Sequence, residues 1–111
     1  MKEYTFDDST IMQAIDKAVC DAFGLVPKQL QTKTRSMKFV FPRQICMTLA
    51  RELSALSYVA ISNYYGKKDH CTTFHACTRI NDLIKRNPNF ANAYEKMREA
   101  TGYSPILTRT F

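Results

Sequence analysis

Between residues 22 and 51 the chain has no aspartate or glutamate, yet it carries Lys28, Lys33, Arg35, Lys38, Arg43 and Arg51. Those six bases account for the whole formal net charge of +6, since the other residues balance ten bases with ten acids. A block of one sign in one place points to a polyanionic partner more directly than a diffuse excess does. Other absences narrow the field further. No stretch approaches the roughly 18 unbroken apolar residues that a membrane-spanning helix needs. The amino end, MKEYTFDDST, is polar and acidic, unlike a secretory signal, so the expected address is the cytoplasm. Cys20, Cys46, Cys71 and Cys77 form no C-x-x-C pair; free thiols are expected, with Cys20, Cys46 and Cys77 acting as small buried hydrophobes. Nothing reads G-x-x-x-x-G-K-S/T, which excludes a P-loop and its nucleotide.

Glycine occurs only at 24, 66 and 102, each after a helix-like run, where helices commonly stop. No repeat, low-complexity tract or linker divides the 111 residues, so one domain with a modest core is expected over 1–111. The periodicity predicts a first helix over residues 9–23, capped by Ser9 or Thr10, with Ile11, Ile15, Ala18, Val19 and Ala22 facing the core. A short turn of helix follows Pro27. Residues 31–38, QTKTRSMK, lack an apolar stripe and read as a basic loop. A long helix then starts near Phe41 or Pro42 and runs to about residue 55, with Ile45, Leu49, Leu53 and Leu56 inward and Arg43, Gln44 and Arg51 off that face. Ser57 caps a short helix ended by Gly66. Asp69 caps the next helix, to residue 86. Asn87 and Pro88 open a closing helix over 87–101, in which Phe90, Tyr94 and Met97 face the core. Residues 102–111 form a tail. The fold class is therefore all-α.

The segment GKKDHCTTFHACTRI, residues 66–80, holds the chemistry-bearing side chains. At about 100° per residue, Thr73, Ala76, Cys77, Ile80, Leu83 and Ile84 share the core-facing sector. His70, Cys71, His75, Thr78 and Asp82 lie opposite, with Thr72 and Phe74 at the margins. Cys71 and His75, at i and i+4, suit two metal ligands, but a site needs two more and none is in position. Cys–His catalysis lacks a third group to orient the imidazole. No enzyme activity, metal or cofactor is expected. A short helix, a glycine turn and a second helix form a helix-turn-helix, whose second helix reads base edges with its first residues. Those are Asp69, His70, Cys71 and Thr72.

GKKDHCTTFHA resembles the G-G-R-D-H-T-T-V-L-H-A signature of the C-terminal DNA-binding domain of the bacterial replication initiator DnaA. Upstream, LQTKTRSMKFVFPRQICMTLARELSALSYVAISNYYG follows that family's basic loop, its P-R-Q-x-A-M-x-L-A-x-E-L helix and its L-S-x-x-x-I-x-x-x-F-G turn. The resemblance runs without a gap over about residues 13–86. It implies a Trp-repressor-like helix-turn-helix domain that binds double-stranded DNA with a sequence preference. By the same resemblance, Arg35 enters the minor groove, and Asp69, His70, Cys71 and Thr72 read bases in the major groove. Lys33, Ser36, Lys38, Arg43, Gln44, Arg51, Lys67, Lys68 and His75 meet the DNA backbone. Arg51 stands for a family lysine, Cys71 for a base-reading threonine, and Thr73 for an aliphatic residue on the core side, which costs some packing or needs a bond from its hydroxyl to the backbone. A site like the family's A·T-rich nonamer is implied, altered where Cys71 lacks a good hydroxyl donor. Without the family's ATPase module, the chain is expected to be either a stand-alone relative, the reading favoured, or a portion of a longer protein, monomeric, acting in replication initiation or its regulation. The other expectation for the same fold is a regulatory module that offers its basic block to an acidic replication protein.

Overall fold

A computed structural model describes residues 6–30, 36–67, 69 and 71–103, with side chains from Ser9 onward. Helices are the only regular elements among the described residues: α1 (Phe6–Phe23), α2 (Pro27–Leu30), α3 (Met37–Leu53), α4 (Tyr58–Tyr64), α5 (Cys71–Arg86) and α6 (Pro88–Thr101). None of them is long and apolar enough to cross a membrane. α3 is the spine. Ile45, Cys46, Met47, Leu49 and Ala50 are all fully buried, so this helix is apolar on most of its circumference, as a central helix must be. It packs on α5 and α1 most extensively and also touches α2 and α4; α6 closes the far side against α1 and α5.

The caps explain most boundaries. The Ser57 hydroxyl accepts from Ala60 N at 3.1 Å. The Asn87 side chain accepts from Asn89 N and Phe90 N at 3.0 and 3.1 Å, ahead of Pro88 at the first helical position. Gly102, at φ 80°, ends α6 in the left-handed conformation that disfavours any side chain. α6 is further clamped by Glu52, which accepts from Tyr94 Oη at 2.8 Å and from Arg98 Nη1 at 2.6 Å, while Arg98 also pairs with Glu95.

Two starts differ from expectation. α1 begins at Phe6, so Ser9 and Thr10 lie within it rather than capping it. Its buried face is Met12, Ile15, Asp16, Val19 and Cys20 with Ala18, and Ala22 is exposed because the stripe has rotated off the core by the last turn. α3 begins at Met37. Ser36 is its N-cap and accepts from Lys38 N at 3.3 Å, so Met37 and Lys38 belong to the helix and not to the loop. Pro42 consequently sits inside the helix. It forfeits the one backbone bond that would reach the Lys38 carbonyl, on an exposed residue where water can replace it. The helix ends at Leu53, and Ser54 closes it with both N–H and hydroxyl on the Ala50 carbonyl, at 3.0 and 2.6 Å.

Two buried polar contacts fix the helix-turn-helix in place. Asp16 on α1 is 4% exposed. Its carboxylate accepts from Tyr65 Oη at 2.6 Å and Tyr64 Oη at 2.8 Å, the two residues at the end of α4. The Cys46 thiol also bonds to it. Across the motif, Ser62 on α4 and Thr73 on α5 share a hydroxyl–hydroxyl bond of 2.6 Å, and both are fully buried. The Thr73 hydroxyl is thus satisfied by a serine on the facing helix, not by backbone.

Both contacts carry measurable consequences. Burial raises the Asp16 pKa above its ordinary 3.8, despite the three donors that pull it down. An acid whose pKa rises on folding gives its full stabilisation below the unfolded value and loses it as pH climbs through the folded one. Urea unfolding should therefore show wild type losing stability relative to Asp16→Asn as pH rises from 4 to 7; an unchanged difference would mean Asp16 titrates like a surface carboxylate. For the hydroxyl pair, Thr73→Val alone should cost about 1–3 kcal/mol by orphaning Ser62, and Ser62→Ala/Thr73→Val together should recover most of it. A double-mutant cycle showing simple additivity would remove the coupling.

Candidate nucleic-acid interface

The amino end of α5 is built around one carboxylate. Asp69 Oδ1 accepts from Cys71 N at 2.9 Å, and the Asp69 carbonyl accepts from Thr72 N at 3.0 Å. The helix proper starts at Cys71, and Asp69 bonds its first N–H from just outside. The Cys71 thiol also bonds to the Asp69 carboxylate, and this contact, more than burial, pushes the thiol pKa up. A thiol held protonated in this way is a donor already engaged. Asp69 is exposed, Cys71 and Thr72 are half-buried, and Phe74, His75 and Thr78 are exposed along the same outer side. The core sector is occupied as the periodicity predicts, with Thr73, Ala76, Cys77 and Ile80 buried and Leu83 and Ile84 packed against the core.

The turn before α5 is short and tied back. Gly66 has φ 75°, its N–H reaches the Asn63 carbonyl at 3.0 Å, and Lys67 N reaches the Ser62 carbonyl at 2.8 Å. A side chain at 66 would be strained in that conformation. Lys67 is half-buried at the turn. Lys68 and His70 lie outside the described residues.

Of the basic block, Lys33 and Arg35 also lie outside the described residues, but both ends of the segment that carries them are anchored. At one end Leu30 is fully buried, and its carbonyl accepts from Arg43 Nη1 at 3.1 Å. At the other, Ser36 caps α3. Arg43 was placed off the apolar face, yet it is only 5% exposed, because its guanidinium folds back to that carbonyl. Burial lowers its pKa. Lys38 is exposed, with Nζ 5.7 Å from the Phe39 ring centroid. Gln44 is half-buried, and its Oε1 is enclosed with no hydrogen-bond partner among the described residues.

Arg51 is held more tightly than a surface base usually is. Its Nη1 donates to the Leu56 carbonyl at 2.9 Å, and its guanidinium carbon lies 4.3 Å from the Tyr58 ring centroid. Tyr58 in turn meets Phe74 edge-on, at 5.8 Å and 89°. Periodicity did not mark Tyr58 for this site; its signal is a ring one residue after the α4 cap, facing the arginine near the end of the preceding helix. Neither Lys38 nor Arg51 pairs with an acid among the described residues. Among the same residues no three histidine, cysteine or acidic side chains come together as metal ligands. An open groove of ≈ 410 Å³ between α3, α5 and α6 lies elsewhere, beside Glu52 and Glu95, which share Arg98.

Comparison with known proteins places this arrangement. The bacterial DnaA protein helix-turn-helix family matches residues 6–80. The chromosomal replication initiator protein DnaA of Treponema denticola is 33% identical over 84 residues, which is 76% of this chain and 18% of that protein. The protein of the same name from Methylobacillus flagellatus is 39% identical over 80 residues, 72% of this chain and 17% of that protein. The chain thus spans less than a fifth of the length of these relatives. A crystal structure of a DNA replication initiation factor superposes with a TM-score of 0.73 at 22% identity, over 85% of this chain and 28% of that one, and so shares the fold. With the family match spanning more than half its residues, the chain belongs to the bacterial DnaA helix-turn-helix family.

Proposed function

We propose that this chain binds double-stranded DNA with a sequence preference, as a single monomeric unit, in replication initiation or its regulation. The observation that carries the reading is the open amino end of α5. There Asp69, Cys71 and Thr72 stand in the register of the family signature, on a helix whose turn is pinned to the core by Asp16. Asp69 to Thr72, with His70 among them, read base edges in the major groove. Arg35 enters the minor groove from the anchored segment between Leu30 and Ser36. Gln44, Arg51, Lys33, Ser36, Lys38, Lys67, Lys68 and His75 meet phosphate and sugar, while Arg43, bonded to the Leu30 carbonyl, adds charge from within the fold. The reading assigns no catalysis, cofactor, metal or nucleotide, and a cytoplasmic site of action.

Titration with a selected duplex and a random one, at two salt concentrations, tests it. Affinity should fall with salt with a slope of about −0.9 per phosphate contacted. Absence of binding to any duplex at low salt would favour an acidic protein partner instead. Arg35→Ala and His70→Ala should each reduce the preference for the selected site by roughly 1–3 kcal/mol. A wild-type ratio of selected to random binding in either variant would remove that residue from the readout.

Cys71 carries a separate expectation. Because its thiol is turned onto Asp69, Cys71→Thr should change base preference at one position of the site, by about 1–3 kcal/mol, while binding to random duplex stays constant. Site selection with both proteins measures this directly; identical selected sequences would show that position 71 does not read a base.

A further inference from the structure

We infer that Phe74, acting through Tyr58, positions the Arg51 guanidinium so that its remaining Nη hydrogens take a DNA phosphate. This deepens the DNA-binding reading above and rests on it. The residues form a row across three helices: Arg51 near the end of α3, Tyr58 at the start of α4, Phe74 in the first turn of α5. Each is held by the next. The Tyr58 ring lies under the guanidinium at 4.3 Å, and the Phe74 ring abuts Tyr58 edge-on. A cation against an aromatic face is attracted by the ring's quadrupole, and an edge-to-face neighbour fixes the ring that supplies it.

The donors of Arg51 show what is left over. Nη1 gives one of its two hydrogens to the Leu56 carbonyl. Nε is buried without a hydrogen-bond partner among the described residues, beside the Tyr58 ring. The second Nη1 hydrogen and the two on Nη2 remain to take a ligand. A planar guanidinium fixed on one face and one edge is pre-organised, and it loses less freedom on binding an anion than a lysine ammonium on a mobile stem. Phe74 is 49% exposed, so its ring can be removed without opening the core. Within the row, that exposed ring links the base-reading helix to a cation on the helix behind, so that α5 and the phosphate contact dock in one register.

The test uses the whole chain and two readouts. The first is the Arg51 Nε–H resonance of the free protein, without DNA. It should be ring-current shifted in wild type and should move toward an exposed-arginine position in Phe74→Ala and Tyr58→Leu. The second is affinity for duplex DNA. Phe74→Ala should weaken binding about two- to fivefold, the scale of an exposed cation–π contact, and should have no further effect in an Arg51→Ala background. Arg51→Lys should behave like Phe74→Ala. An unmoved Arg51 resonance, or an equal loss from Phe74→Ala in both backgrounds, overturns the inference even if the protein binds DNA well. A wild-type protein that binds no duplex overturns the DNA-binding reading instead, with the resonance still reporting on the row itself.

Discussion

A carboxylate inside a protein must find donors or take up a proton, and Asp16 has found three. Two come from adjacent tyrosines whose rings stand nearly perpendicular, at 4.8 Å and 81°, so their hydroxyls converge on the two oxygens of one group. Residues 64 and 65 are the last of α4 and the first of the turn. Their anchorage to α1 therefore sets where the chain reaches Gly66, and from there the direction in which α5 departs. An apolar contact would hold the same elements together without choosing an angle; hydrogen bonds to a charged group do choose one. The orientation of the candidate base-reading end thus traces back to an acid on a helix that carries none of the proposed DNA contacts.

The other ties repeat this pattern on a smaller scale. Ser62 and Thr73 couple the two helices of the motif through a buried hydroxyl pair, which is directional where two methyl groups would slide. Arg43 couples the end of α2 to α3 through the Leu30 carbonyl. Ser36 fixes the start of α3. The first two join the core to the base of an element that presents a proposed contact, and the third fixes such an element's start locally. Ligand surfaces set on rigid supports spend less of their binding energy on ordering, which explains why so small a helical unit invests several buried polar groups in structure.

Local chemistry in the sequence made much of this legible. The Ser57, Asn87 and Gly102 caps, the α5 core sector and the α6 limits follow from side chains that act within four residues of themselves. The DnaA resemblance added the order of loop, spine and motif. What stayed hidden depends on distance. An acid in the first helix reads as the edge of an apolar stripe, because its tyrosine partners lie 48 and 49 residues away. Pro42 reads as a helix start, since a proline there is usual, and the true cap, Ser36, sits in a polar run that masks it. Arg43 reads as exposed beside Gln44; its burial comes from a carbonyl 13 residues earlier that no periodicity exposes. The Arg51–Tyr58–Phe74 row escapes for the same reason, being one residue from each of three helices.

The placement of Arg43 bears on how the basic block works. An arginine keeps its charge even when burial lowers its pKa, since the ordinary value lies so far above neutrality. Set beneath Leu30, that charge is screened less by salt than one at the surface would be. No acid between residues 22 and 51 cancels it, and Lys38 and Arg51 meet no acidic side chain among the described residues. The block therefore has two kinds of cation: exposed ones that can touch an anion, and an inner one that raises the potential around the segment carrying Lys33 and Arg35. Because the inner charge also donates a bond to the Leu30 carbonyl, the same guanidinium ties the end of α2 to α3 and adds to the positive potential of the block.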